Sequence, residues 1–151
     1  MIKSVAIIGL GVLGSAIAQY LLNNGFQVYG FDISKKAISK FNNYKNFYAC
    51  SSASEIFSRK LEVLSCLPSA TSLYEVIKTA PDKKQSYKSN SKKTILLIEL
   101  STLPVDSKEH ALELARKKHI RMVDSPLSGN RVVALKGKLS AYLSGENKDV
   151  Q

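Results

Sequence analysis

Gly9-Leu10-Gly11-Val12-Leu13-Gly14, close to the amino terminus, is the stretch that decides the fold. Residues 3–8, before it, form a short apolar run rich in β-branched side chains, which predicts a buried parallel strand. Residues 15–22, after it, favour a helix that ends at Asn23-Asn24-Gly25. A strand, a GxGxxG turn and a helix in this order predict a turn that binds phosphate groups at a helix amino terminus.

A carboxylate stands where such a turn needs one. Residues 27–31 predict the second strand and Asp32 follows it directly, near the spacing of about 20 residues beyond the turn that is typical of a ribose-binding acid. In this arrangement Gly9 makes the tight turn, Gly11 lets the backbone approach a pyrophosphate, and Gly14 lets helix and strand pack closely. The sequence therefore predicts a dinucleotide-binding site.

The residues around Asp32 bear on which dinucleotide is bound. A carboxylate accepts hydrogen bonds from the ribose hydroxyls and repels a 2′-phosphate. Ile33 and Ser34 follow it, and no arginine is present there to receive that phosphate. We therefore expect NAD rather than NADP, although Lys35 and Lys36 lie close enough to keep NADP as the alternative.

Strand-like and helix-like segments alternate along the rest of the chain. This pattern predicts a single α/β domain over residues 1–151, with a doubly wound, mostly parallel sheet of the Rossmann type. Serine-rich capping patterns predict helix starts at Ser52 and Ser72, and a longer helix is expected over 106–118. The segment 124–137 is expected to be irregular. The other predicted strands are 47–49, 61–67, 94–100, 120–123 and 139–143.

The composition limits the class of protein. The chain has 151 residues, 44% of them hydrophobic, which suits one domain with a sizeable core. The net charge of +10 comes from 22 basic and 12 acidic residues, and part of the excess lies in a polar segment, 83–93, expected to be a surface loop. No arginine-rich stripe is present, so we expect no nucleic-acid partner; the opposite hypothesis predicts DNA binding with a steep salt dependence.

Two further features concern the compartment. Cys50 and Cys66 form no CxxC pattern, which favours free thiols in a reducing environment over a disulfide. The apolar run 4–22 resembles a signal peptide or a membrane span in composition, but three glycines interrupt it and it divides into a strand and a helix. We therefore expect a cytoplasmic protein with no membrane contact and no metal site.

Four motifs in order resemble the β-hydroxyacid dehydrogenases, a family that includes 3-hydroxyisobutyrate dehydrogenase and 6-phosphogluconate dehydrogenase. The glycine turn is similar to their GLGxMG, and Cys66-Leu67-Pro68 to their CLP or MLP. Leu100-Ser101-Thr102, with Glu99 before it, resembles their D-x-S-T turn. Asp124-Ser125-Pro126-Leu127-Ser128-Gly129 is similar to their DAPVSGG substrate signature. The resemblance covers essentially the whole chain.

The resemblance implies roles for particular positions. It places Leu67 and Pro68 beside the cofactor, Thr102 at the nicotinamide ribose region, and Ser128 and Gly129 at the substrate carboxylate. Asn130, a third expected substrate-binding residue, stands where the family has a glycine, and Thr102 is expected at the substrate as well; for Ser128 an ordinary turn serine is the alternative. The expected cofactor-binding set is Gly9, Leu10, Gly11, Val12, Leu13, Gly14, Asp32, Ile33, Ser34, Leu67, Pro68 and Thr102.

The resemblance also implies an activity and a gap. The family transfers a hydride between a nicotinamide cofactor and a small 3-hydroxy acid or its semialdehyde, with a catalytic lysine in a helical second domain. That region would follow Gln151, so we expect no catalytic residue in this chain; His110 and His119 are expected on the surface. Two hypotheses remain: half of a dehydrogenase, completed by a carboxy-terminal domain or a homodimer, or a stand-alone or degenerate dinucleotide-binding module.

Overall fold

The computed structural model describes residues 3–81 and 94–150. Six parallel strands form one sheet in the order β3-β2-β1-β4-β5-β6. This is the strand order of a doubly wound Rossmann sheet, so the predicted fold is confirmed. The strands are β1 (Ser4–Ile8), β2 (Gln27–Phe31), β3 (Phe47–Ala49), β4 (Glu62–Ser65), β5 (Leu96–Glu99) and β6 (Arg121–Asp124).

Helices cover both faces of the sheet because its strands carry apolar side chains on both sides. Along β1, Val5 and Ile7 pack with the first two helices, whereas Ala6 and Ile8 pack with the next three. The helices are α1 (Val12–Asn23), α2 (Lys35–Ser39), α3 (Ala53–Ser58), α4 (Ala70–Lys78), α5 (Val105–Lys117), α6 (Arg131–Leu135) and α7 (Asn147–Val150).

Side-chain caps fix where several helices begin. Ser34, Ser52 and Ser69 each accept a hydrogen bond from a backbone N–H in the first turn of α2, α3 and α4. The predicted start of α4 at Ser72 was wrong, because Ser69 caps the helix three residues earlier and Ser72 donates its N–H to the Ser69 hydroxyl. Pro68 directly precedes the N-cap residue Ser69.

The segment predicted to be irregular, 124–137, is more ordered than expected. Leu127–Ser128 forms a short strand, β7, that pairs antiparallel with β8 (Ser140–Ala141), and α6 lies between them. The strand predicted over 139–143 is thus only two residues long. Asn130 accounts for the helix, because its Oδ1 accepts the N–H groups of Val132 and Val133 at 3.0 and 3.1 Å.

Three expectations concern features outside the sheet. No helix within 3–81 and 94–150 is long and apolar enough to cross a membrane. Cys50 and Cys66 are both free thiols. The surface loop expected over 83–93 lies outside the described residues.

Candidate dinucleotide-binding site

A cleft opens where the strand order reverses, between β1 and β4, at the carboxyl ends of the strands. In doubly wound sheets this is where ligands bind. The cleft has a volume of about 610 Å³, within the range of small-molecule sites. We call it the glycine-turn cleft. It is lined by Ile8, Gly9, Gly11, Val12, Leu13, Gly14, Phe31, Asp32, Ile33, Cys66, Leu67, Pro68, Thr71, Ser72, Glu75 and Val76.

The three glycines of the turn differ in what surrounds them. A Cβ on Gly9, whose φ is +94°, would lie 2.2 Å from the carbonyl oxygen of Cys66, and a Cβ on Gly14 would lie 2.0 Å from the carbonyl oxygen of Gly9. Gly11 has no atom within 4 Å of its Cβ position. Gly9 and Gly14 are therefore required by packing, whereas Gly11 keeps a space open at the mouth of the cleft.

The amino terminus of α1 faces this space without a partner from its own side chains. Its N-cap residue is Gly11, no side chain caps it, and its first turn contains no acidic residue. The first N–H groups of a helix have no acceptor within the helix, and they carry partial positive charge. Four other helices, α2, α3, α4 and α6, have a side-chain cap at this position. The start of α1 is therefore suited to bind an anion such as a pyrophosphate.

Asp32 lies beside this helix end and is tied to the backbone by both carboxylate oxygens. Its Oδ2 accepts a hydrogen bond from the N–H of Leu10 at 2.7 Å, and its Oδ1 accepts one from the N–H of Ser34 at 2.7 Å. Each carboxylate oxygen has two acceptor sites, so one on each remains for a hydroxyl pair. The side chain is thereby held in one orientation, with the capacity to receive a ribose.

The opposite wall of the cleft follows β4. The N–H of Leu67 donates to the hydroxyl of Ser101 at 2.9 Å, which fixes this wall to the turn after β5. Burial raises the pKa of the Cys66 thiol, and the Glu99 carboxylate raises it further. Helix α4 adds Thr71, Ser72, Glu75 and Val76, none of which the sequence predicted as a site residue.

The expected residues that do not line the cleft fall into two groups. The Leu10 side chain is fully buried, so only its backbone faces the site, and the Ser34 hydroxyl caps α2. Thr102, Ser128, Gly129 and Asn130 are exposed and follow β5 and β6. Ser128 pairs with Ser140 in the β7–β8 hairpin, and the Oδ1 of Asn130 caps α6. These four residues lie at the same edge of the sheet as the cleft.

A buried lysine next to these loops was missed by the sequence reasoning. The ammonium of Lys108 donates hydrogen bonds to Glu99, to Asp124 and, at 2.7 Å, to the carbonyl oxygen of Ser101. Lys108 is 8% exposed and Glu99 is 0% exposed. A signal was present in the sequence, since Lys108 lies three and seven residues before Ala111 and Ala115, which are on the buried face of α5.

The fold, the strand-order reversal and the glycine turn together define a dinucleotide-binding Rossmann domain. Residues 4–151 match the family model described as the NAD binding domain of 6-phosphogluconate dehydrogenase, and the chain belongs to this family. No cluster of three side chains suited to a metal ion occurs in the described parts of the chain, 3–81 and 94–150.

Individual relatives agree with this assignment. The chain is 27% identical over 145 residues to an L-threonate dehydrogenase of Cupriavidus necator, covering 96% of this chain and 47% of the relative. It is 30% identical over 142 residues to the mitochondrial 3-hydroxyisobutyrate dehydrogenase of Mus musculus, covering 93% and 41%. The solved structure of Mycobacterium tuberculosis 3-hydroxyisobutyrate dehydrogenase with L-serine superimposes with a TM-score of 0.81 at 23% identity, covering 99% of this chain and 48% of that one. The chain thus spans about half the length of the curated relatives that it matches.

Proposed function

We propose that this chain is the NAD-binding half of an oxidoreductase that transfers a hydride between the nicotinamide cofactor and a small 3-hydroxy acid or its semialdehyde. The observation that carries the proposal is the uncapped amino terminus of α1, with open space at Gly11 and the oriented carboxylate of Asp32 beside it. This arrangement offers N–H groups to a pyrophosphate and acceptors to a ribose. When bound, the cofactor supplies the hydride acceptor or donor.

The choice of NAD over NADP is part of the proposal and rests on charge. Asp32 is half-buried and held beside the place where an adenosine ribose would lie. A 2′-phosphate there would meet a fixed negative charge. Lys35 and Lys36 follow on α2 as exposed residues, so they offer the opposing contribution that would favour NADP.

The substrate end of the proposed site lies at the turns after β5 and β6. We assign Thr102, Ser128, Gly129 and Asn130 to it because they are exposed at the edge of the sheet that carries the cleft. Backbone N–H groups and a hydroxyl in such turns suit a carboxylate. The L-threonate and 3-hydroxyisobutyrate dehydrogenases among the relatives are named for acids of this kind.

Proton transfer requires a group that we place outside the described residues. His110 packs edge-on against Tyr74 at 4.8 Å, His119 is exposed, and neither lines the glycine-turn cleft. The Lys108 ammonium already donates to three acceptors. We therefore propose that a further domain or a second subunit completes the enzyme.

We also propose a cytoplasmic location, because both cysteines are free thiols, as is usual in a reducing compartment.

The test is a calorimetric titration of this chain with NAD and, separately, with NADP. We expect saturable binding that is tighter for NAD, and loss of at least about tenfold in NAD affinity in Asp32→Ala. Glu113→Ala, which removes an exposed carboxylate from α5, is the control and should leave binding unchanged. Tighter binding of NADP would contradict the assignment of Asp32. Binding of neither would favour the degenerate module.

A further inference from the structure

The Lys108 cluster consists of the Lys108 ammonium and its three acceptors, Glu99, Asp124 and the Ser101 carbonyl oxygen. An ammonium has three N–H donors, so each is used once. The acceptors come from three places in the chain: the end of β5, the turn that follows it, and the end of β6. One cation therefore joins segments that are separate in sequence.

Ser101 makes three hydrogen bonds, through its N–H, its carbonyl oxygen and its hydroxyl. Its N–H donates to Oε1 of Glu99 at 2.9 Å, its carbonyl accepts from Lys108 at 2.7 Å, and its hydroxyl accepts the N–H of Leu67 at 2.9 Å. Leu67 lines the glycine-turn cleft. A continuous set of hydrogen bonds thus runs from the wall of the cleft through Ser101 to Lys108.

Asp124 carries the connection to the other loop. Its side chain is one third exposed and accepts a hydrogen bond from the Lys108 ammonium. Its backbone N–H and carbonyl oxygen form two 2.8 Å hydrogen bonds with the backbone of Ser144. Directly after it come residues 125–130, the loop with Ser128, Gly129 and Asn130. The N–H of Ser125 also donates to the carbonyl oxygen of Glu99 at 2.8 Å, so the start of this loop is held to the end of β5 by one backbone hydrogen bond and by the Lys108–Asp124 ion pair.

We propose that Lys108 is a positioning residue, which holds the Ser101-Thr102 turn and the 124–130 loop in register at the nicotinamide end of the bound dinucleotide. This inference rests on the proposed function, because that function places the substrate at these two turns and the nicotinamide must lie next to the substrate for hydride transfer. In this proposal Lys108 contacts neither the cofactor nor the substrate and acts through Ser101 and Asp124.

Stability alone does not account for such a cluster. Taking charges out of water costs free energy that the ion pair only partly returns, and buried ion pairs can often be replaced by apolar residues without loss. An apolar residue at 108 would, however, leave no donor to join the two turns. An arginine, with its planar and larger head, would not reach the same three acceptors.

The test separates the two ends of the dinucleotide. ADP-ribose lacks the nicotinamide and should contact only the glycine turn and Asp32, whereas NAD reaches both ends. We expect Lys108→Met and Asp124→Ala to weaken NAD binding about tenfold while changing ADP-ribose binding less than about twofold. They should also abolish the change in NADH fluorescence on binding. Asp124→Asn, which keeps an acceptor oxygen, should retain most of that change, and Lys117→Met is the control on the exposed face of α5.

Several results would overturn the inference. Equal losses for NAD and ADP-ribose in Asp124→Ala would indicate a general loss of structure, and no loss for either would show that the cluster does not position the turns. If Lys108→Met fails to fold, the binding result for Asp124→Ala decides between these outcomes, because that variant keeps the ion pair between Glu99 and Lys108. Equal affinity of the unmodified chain for NAD and ADP-ribose, with unchanged NADH emission, would also overturn it. Binding of neither by the unmodified chain would instead remove the proposed function.

Discussion

The backbone N–H of Leu10 donates a 2.7 Å hydrogen bond to Oδ2 of Asp32, which joins the glycine turn to the end of β2. The N–H of Gly9, one residue earlier, donates to the carbonyl oxygen of Phe31 at 2.9 Å. The carboxylate is thus part of the frame of the turn as well as the proposed acceptor for the ribose. Substitutions at Asp32 will therefore change two properties, and the choice of replacement can separate them.

Asp32→Asn should shift cofactor preference toward NADP. The amide oxygen can still accept the Leu10 N–H, although the Ser34 N–H loses its acceptor, and the negative charge that opposes a 2′-phosphate is gone. We expect the ratio of NADP to NAD affinity to rise by about tenfold, measured by parallel calorimetric titrations. Asp32→Ala, which loses the acceptor too, should bind both more weakly. An unchanged ratio in Asp32→Asn would contradict the charge argument.

Gly11→Ala should mainly weaken dinucleotide binding, whereas Gly14→Ala should mainly lower the free energy of unfolding. The new methyl group at 14 would lie 2.0 Å from a backbone oxygen, so we expect a loss of about 1–3 kcal/mol in the free energy of unfolding, measured in urea. The methyl group at 11 meets no atom, so stability should change by less than about 1 kcal/mol while dinucleotide binding weakens at least tenfold or so. Normal binding in a stable Gly11→Ala chain would argue against a phosphate at this position.

Asn130→Ala should destabilise α6. The substitution removes the acceptor for the N–H groups of Val132 and Val133, and loss of such a cap costs about 1 kcal/mol. Asn130→Asp keeps a capping oxygen and is the matched control. Thermal unfolding followed by circular dichroism would measure both. Equal stability of Asn130→Ala and the unmodified chain would show that the cap contributes nothing.

Cys66 should react slowly with alkylating reagents, and more slowly still with NAD bound. Burial raises the pKa of its thiol, so less thiolate is present at neutral pH than for an exposed cysteine, and the rate should keep rising above pH 9. The thiol lines the glycine-turn cleft, so a ligand there should shield it. Mass spectrometry after iodoacetamide treatment would resolve Cys66 from the buried Cys50. A rate unaffected by NAD would place the ligand elsewhere.

Much of the fold follows from local patterns in the sequence. The residues before the glycine turn are apolar and β-branched, and they form β1 as predicted, because a central strand is buried on both faces whatever its partners are. Asp32 was predicted from its distance to the turn, and the structure places it beside Leu10. These features depend on residues that are close in the chain or on a spacing set by the βαβ unit.

The features that were not predicted depend on distant partners or on local patterns that fit more than one structure. Lys108 is charged, and nothing in its neighbourhood along the chain shows that Glu99 and Asp124 surround it; only the pairing of β5 with β6 brings those carboxylates together. The short helix α6 was missed because five residues carry too little periodicity, and its cap is the residue that was expected to bind substrate. The start of α4 was placed late because two serines three residues apart both fit a cap.

The strand order has a consequence for how the sheet can open. β1 and β4 are neighbours although β2 and β3 lie between them along the chain, so the sheet consists of two halves, each built from consecutive strands, that meet along one seam. The N–H of Cys66 donates across this seam to Ile8 at 2.9 Å. A dinucleotide lying between the glycine turn and Leu67-Pro68 would fasten the halves together, and a ligand that binds only the closed form stabilises it by mass action. Binding of the dinucleotide should then slow deuterium uptake by the backbone amides of β4, although no residue of this strand lines the cleft.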